Sequence, residues 1–169
     1  AQQHLFDALG IQVPRWMRDG CGRPIGGSEL FLHPRSMLTL GQLCLQGGSW
    51  LGAQVVSSEW LRTSTQAQPG IDRAFFDRLG AQVGLPPEYP HHWDGYGLQW
   101  WLTTHCGHPT YYAYGYGGQQ IAVLPGLDLV VVTTYASNTN DVMPETLRPP
   151  LRNYSPSGLV GDVVAAVNS

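Results

Sequence analysis

The chain has no lysine: all nine of its basic residues are arginine. That absence removes the mechanisms built on a lysine amine: a lysine Schiff base, the P-loop lysine and the base of a Ser-x-x-Lys pair. Charge of either sign is scarce. Charged residues make up 12% of the sequence, about half the usual share. With a formal net charge of −3, no broad basic field exists to attract nucleic acid or an anionic membrane. Long apolar runs are missing too. The longest, Leu127 to Val132, is strand-sized and interrupted by Asp128, far short of the roughly 20 residues of a membrane helix. Cys21, Cys44 and Cys106 are three in number and widely spaced, so at least one is unpaired within the chain. Small buried or half-buried thiols are a simpler reading than a disulfide framework. The start, Ala1-Gln2-Gln3-His4, has neither an initiator methionine nor a signal-peptide pattern and reads as a helix entered midway.

The sequence is richer in aromatics and glycine. Six Trp and eight Tyr outnumber the twelve acidic residues, and there are 21 Gly among 169 residues, 43% of them hydrophobic. Such a profile suits strands and tight loops around an aromatic-lined cleft. A chain of this length forms one domain, or a large piece of one, and can bury about 70% of its unfolded surface.

Punctuation along the chain divides it into elements. His4 to Leu9 followed by Gly10 reads as the end of a helix with a glycine cap. His33-Pro34 opens the clearest helix, over residues 34–46, with Met37, Leu40, Leu43 and Cys44 as its apolar stripe and Gly47-Gly48 as its stop. Ser49 to Gln54 is a tight connection around Gly52. Ser57 or Ser58 caps a second helix with Trp60 and Leu61 on its buried side, and a short helix over Arg73 to Leu79 is consistent with the pattern. Between residues 67 and 95, repeated Pro and Gly break any longer period.

From Tyr96 the pattern turns to strands: residues 96–104, 111–115, 119–124 and 128–135, with Pro125-Gly126 as a tight reversal. Short turns between sequential strands predict an antiparallel meander. Alternating Tyr112, Tyr114 and Tyr116 would share one face, and Leu159 to Val167 reads as a terminal helix laid on the sheet.

Chemistry concentrates in Tyr112-Ala113-Tyr114-Gly115-Tyr116-Gly117-Gly118-Gln119-Gln120. Glycines at three of four successive positions weaken a strand and need a reason. One is close approach of a ligand to the backbone, with N–H groups aimed at an oxyanion; the other is a bulge or hairpin corner. Elsewhere the signals are thinner. His91-His92 and His105-Cys106-Gly107-His108 carry metal-type side chains at spacings that match no zinc pattern. Ser28 in Gly26-Gly27-Ser28-Glu29-Leu30 lacks the elbow pattern of a nucleophile and reads as a loop residue. Asp94 and Asp128 read as turn residues.

The stretch Gly115-Tyr116-Gly117-Gly118-Gln119, continuing through Ile121-Ala122-Val123-Leu124-Pro125-Gly126-Leu127-Asp128 to Val132, resembles the C-terminal strands of the β-lactamase-related serine hydrolases. That group includes class C β-lactamases, D-Ala-D-Ala carboxypeptidases, related esterases and 6-aminohexanoate-dimer hydrolases. Gly26 to Leu43, Trp50 to Trp60 and Tyr96 to Leu102 resemble further segments of the group in the same order.

The resemblance implies an α/β (α+β) fold with an antiparallel sheet flanked by helices, residues 1–169 forming the C-terminal portion of one domain. It implies a serine acyl-enzyme acting on a small-molecule ester or amide, with no cofactor and no metal. The upstream portion of the same domain would be the chain's partner, and a periplasmic or secreted location is favoured. Ser-x-x-Lys and Tyr-x-Asn, the group's first two motifs, are absent from these residues. The third motif corresponds to Tyr116-Gly117-Gly118, with Ala113-Tyr114-Gly115 as a second register, and Tyr replaces the customary Lys or His. In the first register Tyr116 is a hydrogen-bond donor at the leaving group, and the Gln119 N–H is half of an oxyanion hole. Gly117, Gly118 and Tyr114 then line the substrate. A non-catalytic module that keeps the cleft wall is the alternative.

Overall fold

The computed structural model describes residues 1–13, 15–82, 93–115, 118–134 and 156–168. A π-helical turn, Gln2–Phe6, leads to Gly10 at φ 65°, the glycine stop expected there. β1 (Arg15–Trp16) then pairs antiparallel with β2 (Leu30–Phe31). This two-strand ribbon is invisible in the sequence because neither member is long enough to show a period.

α1 (Pro34–Leu45) begins where proline suits the first turn. The His33 Nδ1 caps it, accepting from the Arg35 N–H at 3.3 Å. It ends where Gly47 and Gly48 take positive φ and the Gly48 N–H reaches back to the Leu43 carbonyl at 2.8 Å. β3 (Ser49–Trp50) and β4 (Ala53–Gln54) form a miniature hairpin around Leu51 and Gly52, both left-handed. α2 (Ser58–Ser64) is capped by Ser57, whose Oγ accepts from the Trp60 N–H at 3.1 Å. Leu61 is buried as expected, but Trp60 is 54% exposed. With only two turns, α2 presents a single buried stripe, and Trp60 falls beside it. α3 (Arg73–Gln82) is capped by Asp72, whose carboxylate accepts from the Phe75 N–H at 2.9 Å.

The remaining strands build one five-stranded antiparallel meander: β5 (Gly95–Tyr96), β6 (Trp101–His105), β7 (His108–Gly115), β8 (Gln119–Leu124) and β9 (Leu129–Thr133), in that spatial order. Residues 96–104 are therefore not one strand. Gly97 to Trp100 fold into a turn, closed by the Gly97 N–H on the Trp100 carbonyl at 2.8 Å, with Gln99 at φ 70°. The turn expected over residues 105–109 shrinks to Cys106-Gly107, both at positive φ, and β7 starts three residues earlier than its pattern implied. α4 (Pro156–Val167) follows.

Each face of the sheet has its own core. On one, Tyr112, Ala122 and Leu124 meet Val160 and Val164 of α4. Trp93, Trp101, Phe76 and Tyr96 extend that core as an aromatic cluster, with Trp93 stacked on Trp101 at 4.4 Å. On the other face α1 lies against β8 and β9, where Gly41 lets the helix come down on Ile121 and Val130. No helix among the described residues is long and apolar enough to cross a membrane.

Candidate functional site

In a meander, alternate turns lie at the same end of the sheet. The β5–β6 turn with Leu98 and Gln99, the β7–β8 connection and the C-terminal end of β9 therefore share one end. The glycine-rich loop before β2 reaches the same place, since a methyl group on Gly27 would stand 3.8 Å from the Gln99 Oε1.

The β6–β7 ladder begins at Trp101↔Tyr112, whereas β7 continues to Gly115. Among the described residues, Ala113, Tyr114 and Gly115 are paired in register with β8 alone. The cause is the turn at Gly97 to Trp100, which carries the chain away from β7. A stretch of strand that outlasts its ladder is where extended backbone can meet a ligand.

Of the five residues singled out by sequence, three are described. Tyr114 is 44% exposed on β7, and its ring meets that of buried Tyr112 edge-on at 6.4 Å, so the expected sharing of one face holds for this pair. Gly118 adopts φ 89°, and its N–H donates to the Gly115 carbonyl at 3.2 Å, closing the hairpin. The Thr133 hydroxyl donates to the Gly118 carbonyl at 2.8 Å and ties the turn to β9. Gln119 stands opposite Gly115 at the start of β8. β8 lies between β7 and β9, so Gln119 opens an interior strand of the sheet. Tyr116 and Gly117 lie outside the described residues.

Ser28 is an exposed loop residue, and Ser64 is buried with its hydroxyl donated to the Leu61 carbonyl at 3.1 Å. Neither is built as a nucleophile. Burial pushes the Cys44 thiol up to about 12 and raises the Tyr111 and Tyr112 phenols above their ordinary value. All three therefore stay neutral packing groups. His105, Cys106 and His108 sit at the opposite end of the sheet, where the His108 Nε2 is 3.3 Å from the Asn168 Nδ2. No cluster of three or more metal-type side chains occurs among the described residues.

Sequence reasoning passed over Gln120, which is 1% exposed in the middle of β8. Its signal was a polar residue opening the apolar run Ile121-Ala122-Val123-Leu124.

No protein-family model matches the chain, and no curated protein does. Among solved structures, it is similar to the crystal structure of a protein from Bacteroides dorei DSM 17855 described as a "putative beta-lactamase", at 15% identity and a TM-score of 0.59. The likeness covers 99% of this chain and 50% of that one, so the chain spans half the length of its structural relative. The fold is α+β, antiparallel sheets flanked by helices, with the architecture of the β-lactamase/transpeptidase group.

Proposed function

We propose that the chain is the C-terminal, sheet-forming portion of a β-lactamase-like serine hydrolase that cleaves an ester, amide or peptide-like bond. The observation that carries this reading is the end of β7, where Ala113 to Gly115 outlast the ladder with β6 and a glycine turn follows. The half-length likeness to a β-lactamase-type fold supports it.

In this reading an upstream portion of the same domain supplies Ser-x-x-Lys and Tyr-x-Asn. The serine Oγ attacks the substrate carbonyl as the base takes its proton. The alcohol or amine leaves with a proton, and water then releases the acyl group. The β7 geometry favours the register in which Ala113-Tyr114-Gly115 forms the cleft wall, with Tyr114 as its side chain. In the other register Tyr116 donates at the leaving group and the Gln119 N–H serves the oxyanion, while Gly117 and Gly118 keep the backbone bare. A tyrosine in place of a cation suits a neutral ester or amide better than a substrate held by its carboxylate. By itself the chain has no nucleophile of this type and turns nothing over.

The test is burst kinetics with p-nitrophenyl acetate on this chain joined to an upstream segment bearing Ser-x-x-Lys. A stoichiometric burst from the joined protein and none from residues 1–169 supports the proposal. Tyr114→Phe and Tyr116→Phe then distinguish the registers by which one lowers kcat. A joined protein without a burst would favour the non-catalytic module.

A further inference from the structure

Gln120 is almost wholly buried, and among the described residues neither its Oε1 nor its Nε2 has a hydrogen-bond partner. Native interiors seldom leave both ends of an amide unpaired, because each lost bond keeps the full desolvation penalty of its group. Its position shows what surrounds it. Gln120 stands directly opposite Tyr114 across β7–β8 and directly opposite Thr133 across β8–β9. Residues paired in this way share a face, with Cβ atoms about 5 Å apart. Thr133 has committed its proton to the Gly118 carbonyl at 2.8 Å, so its oxygen still has lone pairs with which to accept.

We infer that Gln120 and Thr133 hold one buried water molecule beneath the β7–β8 turn, and that Gln120 is thereby a positioning residue for that turn. The water donates to the Gln120 Oε1 and the Thr133 Oγ1 and accepts from the Gln120 Nε2. Those three bonds are the usual complement of an internal water. Gln120 is 1% exposed, and the next row of the same face is Tyr112 and Ala122, both buried. The link runs from Gln120 through water and Thr133 to the Gly118 carbonyl, so it braces the glycine turn from below. Only the turn's catalytic importance rests on the proposed function; the water site does not.

The experiment uses the 169-residue chain labelled with 15N. Water-selective NOE spectra are expected to show a cross-peak between a long-lived water and the Gln120 side-chain NH2. In Gln120→Met, which preserves shape and removes both polar atoms, that peak disappears. The Gly118 amide, bonded to the Gly115 carbonyl, should then exchange about tenfold faster, while those of Ala122 and Val123 keep their rates. Absence of the cross-peak in the unmodified chain overturns the inference without reference to any variant. An unchanged Gly118 rate in Gln120→Met overturns the bracing role. Since no activity is read, failure of the hydrolase reading would leave this result standing, and the reverse.

Discussion

Gly97 presses so closely on the Ser64 carbonyl oxygen that a methyl group on it would overlap that atom, and the Leu98 N–H donates to the same oxygen at 2.8 Å. The β5–β6 turn is thus clamped to the end of α2, and this clamp is what turns β6 away from β7 before β7 ends.

Gly97→Ala should therefore be more costly than an ordinary glycine replacement. A backbone carbonyl cannot step aside as a flexible side chain can, so the expected loss is about 1–3 kcal/mol, the range for overpacking. Urea titration checks it: the midpoint falls while the slope stays constant. An unchanged midpoint would mean that the turn is not clamped.

Gly41 is the contact point of α1 with the sheet. An added methyl group would lie 2.5 Å from the Val130 Cγ1 and 2.9 Å from the Ile121 Cγ2. Here the obstacle is side chain, so a second change can relieve it. Gly41→Ala is expected to destabilise by about 1–3 kcal/mol. Combined with Val130→Ala, it should cost less than the sum of the two single changes by about 0.5 kcal/mol or more. Strict additivity in the double-mutant cycle would contradict this packing.

Alkaline pH should lower the protein's stability in a defined window. The Cys44, Tyr111 and Tyr112 groups all have folded-state pKa values raised by burial above their ordinary ones, 9.0 for the thiol and 10.0 for the phenols. Between the unfolded and folded values only the unfolded chain has released these protons. Linkage then makes stability fall as pH rises, whereas below about pH 9 their contribution is fully present. Urea midpoints from pH 7 to 11 should be flat at first and then decline. Cys44→Ala should make the decline near pH 9 to 10 shallower, and an identical slope would contradict burial of the thiol.

Helix ends and sheet order were legible in the sequence because each rests on local chemistry. Proline after His33, the serine before α2 and the paired glycines after α1 act over one or two turns. The strand boundaries were not. Tyr96 to Thr104 reads as a continuous strand, and only the approach of Gly97 to Ser64, more than 30 residues away, breaks it. Trp60 misled for a related reason, since a helix as short as α2 carries too little periodicity to fix its buried side. At the candidate site the glycine-rich turn was evident from composition. Which of its strands outlasts its neighbour depends on where the preceding turn is clamped, and that is a tertiary fact. Gln120 was missed because one polar residue in an apolar strand has no pattern of its own.

On the proposed function, these 169 residues form the cleft wall of a serine hydrolase and lack its nucleophile. Fluorophosphonate labelling read by intact mass tests it most directly. Loss of the nucleophile costs such an enzyme about a million-fold in turnover, so residues 1–169 alone should take up no label. Joined to an upstream segment with Ser-x-x-Lys, the protein should take up one equivalent, mapped to that segment's serine. Stoichiometric labelling of a serine within residues 1–169, Ser28 being the first to examine, would contradict the account.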